Sequence, residues 1–162
     1  MTKNIGCNEV LEMALQIEQV GHDFYRTLAF HSAHPHLKEA YRQLAAEEQE
    51  HIRSFNHLRH SLAKIDVSKI PNWNELALYF SALLDTNVLP TSPEKNSLIP
   101  ELKDEIGAIH VAISFEKDTI LFLQEMRHWV NDEDQKKIGQ LIEEERGHIL
   151  RLLDLKKRIA PA

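Results

Sequence analysis

The chain contains the pattern Glu-x-x-His at two matching places, Glu48–His51 and Glu145–His148. Both residues of each copy fall on the apolar stripe that a bundle helix turns inward, in steps of three and four residues. A buried carboxylate needs a partner, and for a Glu and a His one turn apart that partner is typically a metal ion. The two stripes are Tyr41, Leu44, Glu48, His51, Phe55, Leu58, Leu62 and Ile138, Leu141, Glu145, His148, Leu152, Leu155, Ile159.

A single glutamate precedes each pair on a similar stripe. Glu18 follows Leu11 and Ala14, and Glu116 follows Ile109 and Ile113. This arrangement indicates an internal repeat in which each half supplies one Glu and one Glu-x-x-His. A shift of 97 or 98 residues lays Glu18 on Glu116, Glu48 on Glu145, and His51 on His148.

The spacing of the glutamates predicts two helical hairpins. The two glutamates of each half are 30 and 29 residues apart, and two residues of an antiparallel hairpin share a level when they are equidistant from its turn. Each glutamate would lie roughly 22 Å from its turn, so all six residues should meet in one layer. Both midpoints carry turn and helix-start residues, namely Ser32-Ala33-His34-Pro35 and Asn131-Asp132.

Four long helices and one short helix are predicted, so the fold class is all-α. Two tight hairpins joined by a long crossover form a ferritin-like four-helix bundle, expected here as one domain over residues 1–162. The crossover, at about 65–100, contains four prolines and a short apolar helix, and it should make the second and third long helices parallel. The predicted helices are about Asn8 to Phe30, Pro35 to Lys64, Trp73 to Leu84, Glu101 to Trp129, and Asp132 to Ile159.

Composition narrows the possible partners. The net charge is −6 and there is no long basic run, which argues against nucleic-acid binding. The only cysteine, Cys7, excludes an internal disulfide and a cysteine-based zinc or iron–sulfur site. We find no signal peptide and no uncharged apolar run near 18 residues, so a cytoplasmic protein without a membrane partner is expected.

The charge of the layer predicts two metal ions. Four ionised glutamates carry −4, which two divalent cations balance, and carboxylate with imidazole suits iron, with manganese or zinc possible. Glu48 and Glu145 are expected to bridge both ions, and without metal all four glutamates should have raised pKa values. A polar layer without metal is disfavoured because the pattern recurs on all four helices. The expected ligands are Glu18, Glu48, His51, Glu116, Glu145 and His148.

Several neighbouring residues have weaker signals. Tyr25 lies two turns from Glu18 and could hydrogen-bond a ligand or relay an electron, but a core tyrosine is about as good an interpretation. His22 could support a ligand, although partial exposure is favoured. The remaining histidines are interpreted as surface residues, and Glu47, Glu50, Glu143 and Glu144 as solvated neighbours.

The chain resembles the rubrerythrin-related, ferritin-like diiron proteins over nearly its whole length. The resemblance implies a carboxylate-bridged diiron centre that reacts with hydrogen peroxide or dioxygen. With one cysteine there is no Cys-x-x-Cys module, so an external electron-donor protein is expected, as is a homodimer or higher homo-oligomer. The segments that carry the resemblance are Ala14–Glu18, Phe24–Arg26, Leu44–His51, Ala112–Asp118 and Leu141–His148, with Leu84–Pro90 similar to the crossover of the stand-alone branch.

Two departures leave two functions open. Peroxidase members of that family carry a further glutamate where this chain has Ile113, and tend to have a tyrosine near Leu123. The first hypothesis is a redox enzyme of peroxidase or ferroxidase type, acting in oxidative-stress defence or iron oxidation. The second is a non-catalytic metal-binding or iron-storage protein that uses the same residues. A substrate oxygenase would further need an internal pocket.

Overall fold

A computed structural model describes residues 7–62, 64–83 and 104–159, and these residues form helices and short connections without any strand. The predicted all-α, ferritin-like bundle is confirmed. Its elements are α1 (Cys7–His31), α2 (Pro35–Leu62), a 3-10 turn (Val67–Lys69), α3 (Trp73–Leu83), α4 (Glu105–Arg127) and α5 (Asp132–Ile159).

Local capping explains where the long helices begin. Pro35 opens α2, where its missing N–H is harmless and its fixed φ is already helical. The Asn131 side chain accepts hydrogen bonds from the backbone N–H groups of Glu133 (3.0 Å) and Asp134 (3.1 Å), as an N-cap does. Asp104 caps α4 through the Gly107 N–H at 2.7 Å, so this helix starts at Glu105 rather than at the predicted Glu101.

The connections of three and four residues at 32–34 and 128–131 make each hairpin antiparallel, α1 with α2 and α4 with α5. Contacts between the hairpins give the remaining directions. Along α2 from Glu47 to His51, the partners on α5 run backwards from Arg151 to Glu144. Helices α2 and α5 are therefore antiparallel, which makes α2 and α4 parallel.

Helices α1 and α4 are antiparallel by the same reasoning. Ser32, at the end of α1, donates a hydrogen bond to Glu105 at the start of α4, at 2.7 Å. Further into the bundle, Tyr25, which precedes Ser32 on α1, contacts Glu116, which follows Glu105 on α4. The two hairpins thus face each other across a shared interior, with the glutamates near mid-height.

An apolar core fills the bundle on both sides of that level. The largest buried side chains are aromatic or aliphatic, and each contributes about 1.5–3 kcal/mol by leaving water. Because this packing fixes the helix faces, it also fixes which polar side chains point inward. The core includes Leu11, Phe24, Tyr41, Leu44, Phe55, Leu58, Phe122 and Leu152, each at most 2% exposed.

The start of the crossover caps one end of the bundle. Asp66 caps the 3-10 turn through Ser68, and α3 packs on α1 and α4. The rings of Trp73 and Trp129 meet edge-on with centroids 5.6 Å apart. The predicted crossover segment Leu84–Pro90 lies outside the described residues, so its likeness to the stand-alone branch stays a prediction. None of the described helices is both long enough and apolar enough to cross a membrane.

Candidate metal centre

The structure brings the six predicted residues together in one buried layer, and each is at most 2% exposed. They form two sets in which one possible ligand atom per residue lies within 4.8 Å of the others. Glu48 and Glu145 belong to both sets, which is the arrangement that two bridging carboxylates require. The sets are Glu18, Glu48, His51, Glu145 and Glu48, Glu116, Glu145, His148.

Both imidazoles turn Nδ1 toward the carboxylates. His51 Nδ1 lies 2.9 Å from Glu145 Oε1 and 3.2 Å from Glu18 Oε2. His148 Nδ1 lies 2.9 Å from the other oxygen of Glu145 and 3.2 Å from Glu48 Oε1. The two rings stack with centroids 5.5 Å apart, so Glu145 sits between two equivalent nitrogens.

Several polar atoms of the layer lack a hydrogen-bond partner among the described residues. They include both carboxylate oxygens of Glu145, one oxygen each of Glu48 and Glu116, and Nδ1 of His148. The His148 nitrogen is close to Glu145, but its direction does not suit a hydrogen bond. Each unsatisfied buried group costs about 1–3 kcal/mol. Oxygen and imidazole donors converging on one level are a donor set that fits divalent cations.

Burial raises the pKa of the Glu18 and Glu116 carboxyls well above the usual range, and the charges of Glu48 and Glu145 add to the effect. These two shifts agree with the prediction from sequence. The prediction is wrong for Glu48. Burial would raise its pKa too, but the imidazoles of His148 and His51, each within 3.5 Å of the Glu48 carboxylate, outweigh burial and hold the pKa far below its usual range.

The histidines compensate for part of the negative charge. Burial alone would lower the pKa of His51 and His148, but the carboxylates of the surrounding glutamates raise the pKa of both well above the usual range. In the metal-free protein, the raised pKa values favour the protonated form of both imidazoles. A cation that binds Nδ1 must displace these protons.

The outer nitrogens of the histidines contact the opposite hairpin. His51 Nε2 lies 3.0 Å from Glu144 Oε2 on α5, and His148 Nε2 lies 3.0 Å from Glu47 Oε2 on α2. Glu144 is solvent-exposed (58%), as predicted, and Glu47 is partly exposed (41%), but each also contacts a histidine of the layer, which the sequence interpretation did not include. Burial would raise the pKa of Glu47, but hydrogen bonds from His148 and Arg151 lower it to about 2.

A sequence signal for these partners existed. Each repeat has a glutamate directly before the shared glutamate, Glu47 in one and Glu144 in the other. Within one helix that glutamate is four residues from its own histidine, so spacing alone suggests an intrahelical pair. The contact instead crosses between hairpins, which only the packing reveals. Glu50 and Glu143 are exposed and pair with Arg53 and Arg146, as expected of surface residues.

Tyr25 is fully buried, and its hydroxyl donates a hydrogen bond to Glu116 Oε1. Burial and then the charge of Glu116 raise its pKa well above the usual range, so the phenol stays protonated. Its ring stacks on Tyr41 with centroids 6.4 Å apart. Tyr25 thus touches the layer directly.

His22 does not touch the layer. It is half-buried, and its Nδ1 contacts the Ala45 carbonyl at 2.8 Å, which ties α1 to α2. The favoured interpretation of partial exposure is confirmed. The other histidines interpreted as surface residues are all exposed: His31, His34, His36, His57, His60, His110 and His128.

A cleft between α2 and α5 leads from the surface to the two imidazoles. Its volume is about 460 Å³. Gly147 leaves it open, since a Cβ there would meet nothing within 4 Å. A molecule the size of peroxide would fit this cleft. Its walls are Glu47, Glu50, His51, Glu144, Gly147, His148 and Arg151.

A helical bundle of this topology with a buried Glu and His layer admits a direct comparison with known families. The family model for rubrerythrin matches residues 9–156. The chain belongs to the rubrerythrin family. Neither a curated protein nor a solved structure gave a significant match.

In this member of the rubrerythrin family, α4 supplies one glutamate, Glu116, to the layer. Ile113 and Leu123 are both buried and apolar, so neither can offer a ligand atom. A further buried polar group on α4 is Thr119, one turn after Glu116, whose hydroxyl has no hydrogen-bond partner in the described part of the chain. No periodicity distinguishes it from an ordinary core threonine.

Proposed function

We propose that this protein binds two divalent metal ions, iron foremost, in the buried layer and acts as an oxidoreductase on hydrogen peroxide or dioxygen. One observation carries the proposal. Two buried sets of Glu and His share Glu48 and Glu145, and unsatisfied oxygens face the shared space. The family supports it, and manganese or zinc would suit the same donors.

A pair of ferrous ions held there would supply the two electrons that, with two protons, convert hydrogen peroxide into two molecules of water. The four glutamates offset the charge of the pair, and the two Nδ1 atoms complete the set of donors. Returning the electrons is assigned to an external electron-donor protein, because the chain has only one cysteine.

The surrounding side chains have distinct parts in this proposal. Glu144 and Glu47 hold the outer nitrogens of His51 and His148, which fixes the tautomer that leaves Nδ1 free. Tyr25 keeps a proton beside Glu116, where it can hydrogen-bond a small oxidant or a displaced carboxylate. The cleft between α2 and α5 gives the oxidant a short path to the layer.

A second function is favoured by Ile113 and Leu123. Both are buried and apolar where peroxidase members carry polar groups, so the centre would have fewer groups to handle protons. The alternative is therefore a metal-binding or iron-storage protein that oxidises iron once per uptake. Both functions use the same six residues.

The deciding experiment is to reconstitute the full chain with iron under anaerobic conditions and then measure metal content and turnover. We expect about two ions per chain, as in other paired-metal sites, and repeated peroxide consumption when a chemical reductant is supplied. Peroxide consumption that stops after one equivalent per metal centre supports the storage alternative. Absence of bound metal in a folded protein rules out both functions. Glu143→Ala, on the exposed face and outside the walls of the cleft, is the control variant and should bind metal normally.

The proposed location of the protein is the cytoplasm, because a single cysteine suits a reducing compartment.

The proposed assembly is a homodimer or a larger homo-oligomer. Self-association is supported by exposed apolar side chains such as Phe30 (70% exposed) and Leu150 (67%). Light scattering of the purified chain would test the assembly, and a monomer at all concentrations would contradict it.

A further inference from the structure

The two histidines are braced in the same way but not equally firmly. His148 Nε2 contacts Glu47, and Arg151 grips that glutamate with two hydrogen bonds, from Nη1 at 2.8 Å and Nη2 at 3.1 Å. His51 Nε2 contacts Glu144, which has no lysine or arginine partner among the described residues. The contacts that hold His148 therefore run through Glu47 to Arg151, whereas those that hold His51 stop at Glu144.

The difference comes from one position of the internal repeat. Arg151 stands three residues after His148, and the equivalent position three residues after His51 is Ser54. A serine is too short to form a forked contact with a carboxylate across the cleft. The side chains of Arg151 and Glu47 are 35% and 41% exposed, whereas that of Glu144 is 58% exposed.

We infer that Arg151 is a positioning residue that makes the His148 half of the centre the tighter of the two metal subsites. This inference rests on the proposed function, because it ranks two sites within the same layer. It concerns side chains that touch no ligand atom. Arg151 acts on Glu47, Glu47 acts on His148, and only His148 faces the metal.

The physical reason is preorganisation. A partly exposed glutamate has many rotamers, and ordering such a side chain on binding costs conformational entropy. A forked arginine contact removes most of that freedom before the metal arrives. The ring of His148 is thereby held with Nδ1 aimed at the shared space. Groups that orient a metal-bound histidine typically change metal affinity by about 10- to 100-fold.

An opposing effect must be weighed. The charge of Arg151 partly offsets that of Glu47 and so weakens it as a hydrogen-bond acceptor, whereas no arginine of the described residues contacts Glu144. Glu144 is more than half exposed, however, so water and salt screen its attraction for a cation several ångströms away. Orientation acts directly on the ligand atom and is not screened. The ordering effect therefore exceeds the charge effect.

The test separates the two halves by removing one histidine at a time. His51→Ala leaves the His148 half intact, and His148→Ala leaves the His51 half. Manganese(II) is titrated anaerobically into the full chain, and free Mn²⁺ is measured by electron paramagnetic resonance. We expect His51→Ala to bind manganese about 10-fold more tightly than His148→Ala.

Arg151→Gln is then added to each background. It should weaken binding about 10-fold in His51→Ala and less than about 2-fold in His148→Ala. The repeat supplies the reciprocal variant, because Ser54→Arg gives Glu144 the partner it lacks. Ser54→Arg should tighten binding in His148→Ala and leave His51→Ala unchanged. Arg151→Lys keeps the charge without the fork, so it should recover only part of the lost affinity.

Equal losses from Arg151→Gln in both backgrounds, or no loss in either, would overturn the inference, as would full rescue by lysine. Thermal unfolding of each metal-free variant shows whether the helices remain packed, and a general loss of packing would lower affinity in both backgrounds alike. If the unmodified chain binds no manganese or iron at all, the proposed function itself fails. If the unmodified chain binds two ions but His51→Ala and His148→Ala bind manganese equally tightly, only the ranking of the two subsites is refuted.

Discussion

The two hairpins carry the same ligand pattern but surround it with different side chains. One turn beyond the first glutamate, the first hairpin has Gly21 and the second Thr119. Two turns beyond it, Tyr25 stands opposite Leu123 in the repeat, and Ser54 corresponds to Arg151. The repeat is therefore strict in the polar layer and loose one turn away. Two halves that look equivalent by ligand type are placed in unequal surroundings.

The largest effect should come from removing a shared glutamate. Glu48→Ala or Glu145→Ala takes a carboxylate from both sets, whereas Glu18→Ala takes one from a single set. We expect the first two variants to lose most bound metal and Glu18→Ala to retain about one ion per chain, because a bridging ligand serves two cations. Elemental analysis after reconstitution measures this. Equal metal contents in all three variants would contradict the assignment of shared and unshared ligands.

The next effect is the dependence of folding stability on pH, whose sign should reverse when metal binds. The raised pKa values of Glu18 and Glu116 favour folding at low pH, and that stability is lost as pH rises above their ordinary 4.5. The raised pKa values of His51 and His148 act likewise, with full stability below 6.5 and loss above it. Glu48 has a lowered pKa, so its contribution exists above 4.5 and is lost below.

The metal-free protein should therefore be most stable at mildly acidic pH and lose stability from about pH 5 to pH 8. Cations replace the protons and bind better as pH rises, so the metal-loaded protein should not share this loss. Thermal melts of both forms across this range will measure the gap in Tm. A gap that stays constant with pH would show that the layer does not exchange protons for metal.

A smaller effect should distinguish the two stacked tyrosines. Tyr25→Phe removes the donor to buried Glu116 and should lower the free energy of unfolding of the metal-free protein by about 1–3 kcal/mol. Tyr41→Phe is the matched control. Its buried hydroxyl has no hydrogen-bond partner within the described ranges, so its loss should be nearly neutral. Urea unfolding of both variants is the measurement, and equal losses would contradict the role assigned to the Tyr25 hydroxyl.

The smallest effects concern two helical glycines. A Cβ at Gly21 would lie 2.9 Å from the Phe115 ring and 3.4 Å from the Glu48 carboxyl carbon, so Gly21→Ala should cost about 1 kcal/mol or more despite better helix propensity. Gly147→Ala meets nothing and should stabilise the fold by about 0.5–1 kcal/mol. Chemical denaturation compares them. A stabilising Gly21→Ala would show that Phe115 and Glu48 move aside freely.

Much of the fold was predictable because the apolar stripes and the turn residues agree. The spacing of the glutamates placed both hairpin turns correctly, and α5 begins and ends at the predicted residues. The start of α4 was misplaced because Asp104, a strong cap, lies within a segment that also has helical periodicity. Helix α2 ends at Leu62, two residues before the predicted Lys64.

The convergence of the six residues was likewise predictable, since periodicity and equal height determine it. Their protonation was not. The lowered pKa of Glu48 depends on two histidines lying within hydrogen-bond reach, and no pattern in the chain gives such distances. The roles of Glu47 and Glu144 also depend on how two hairpins dock. Contacts between elements distant in sequence are the part that local rules leave open.

The crossed contacts between α2 and α5 have a consequence for alignment of the two hairpins. Apolar stripes repeat every turn, so sliding one hairpin by one turn, about 5.4 Å, would still set leucine against leucine. The same slide would part His51 from Glu144 and Arg151 from Glu47, and would leave buried carboxylates facing aliphatic carbons. The polar layer thus determines the axial register of the two hairpins. It penalises misaligned bundles that the apolar core alone would tolerate.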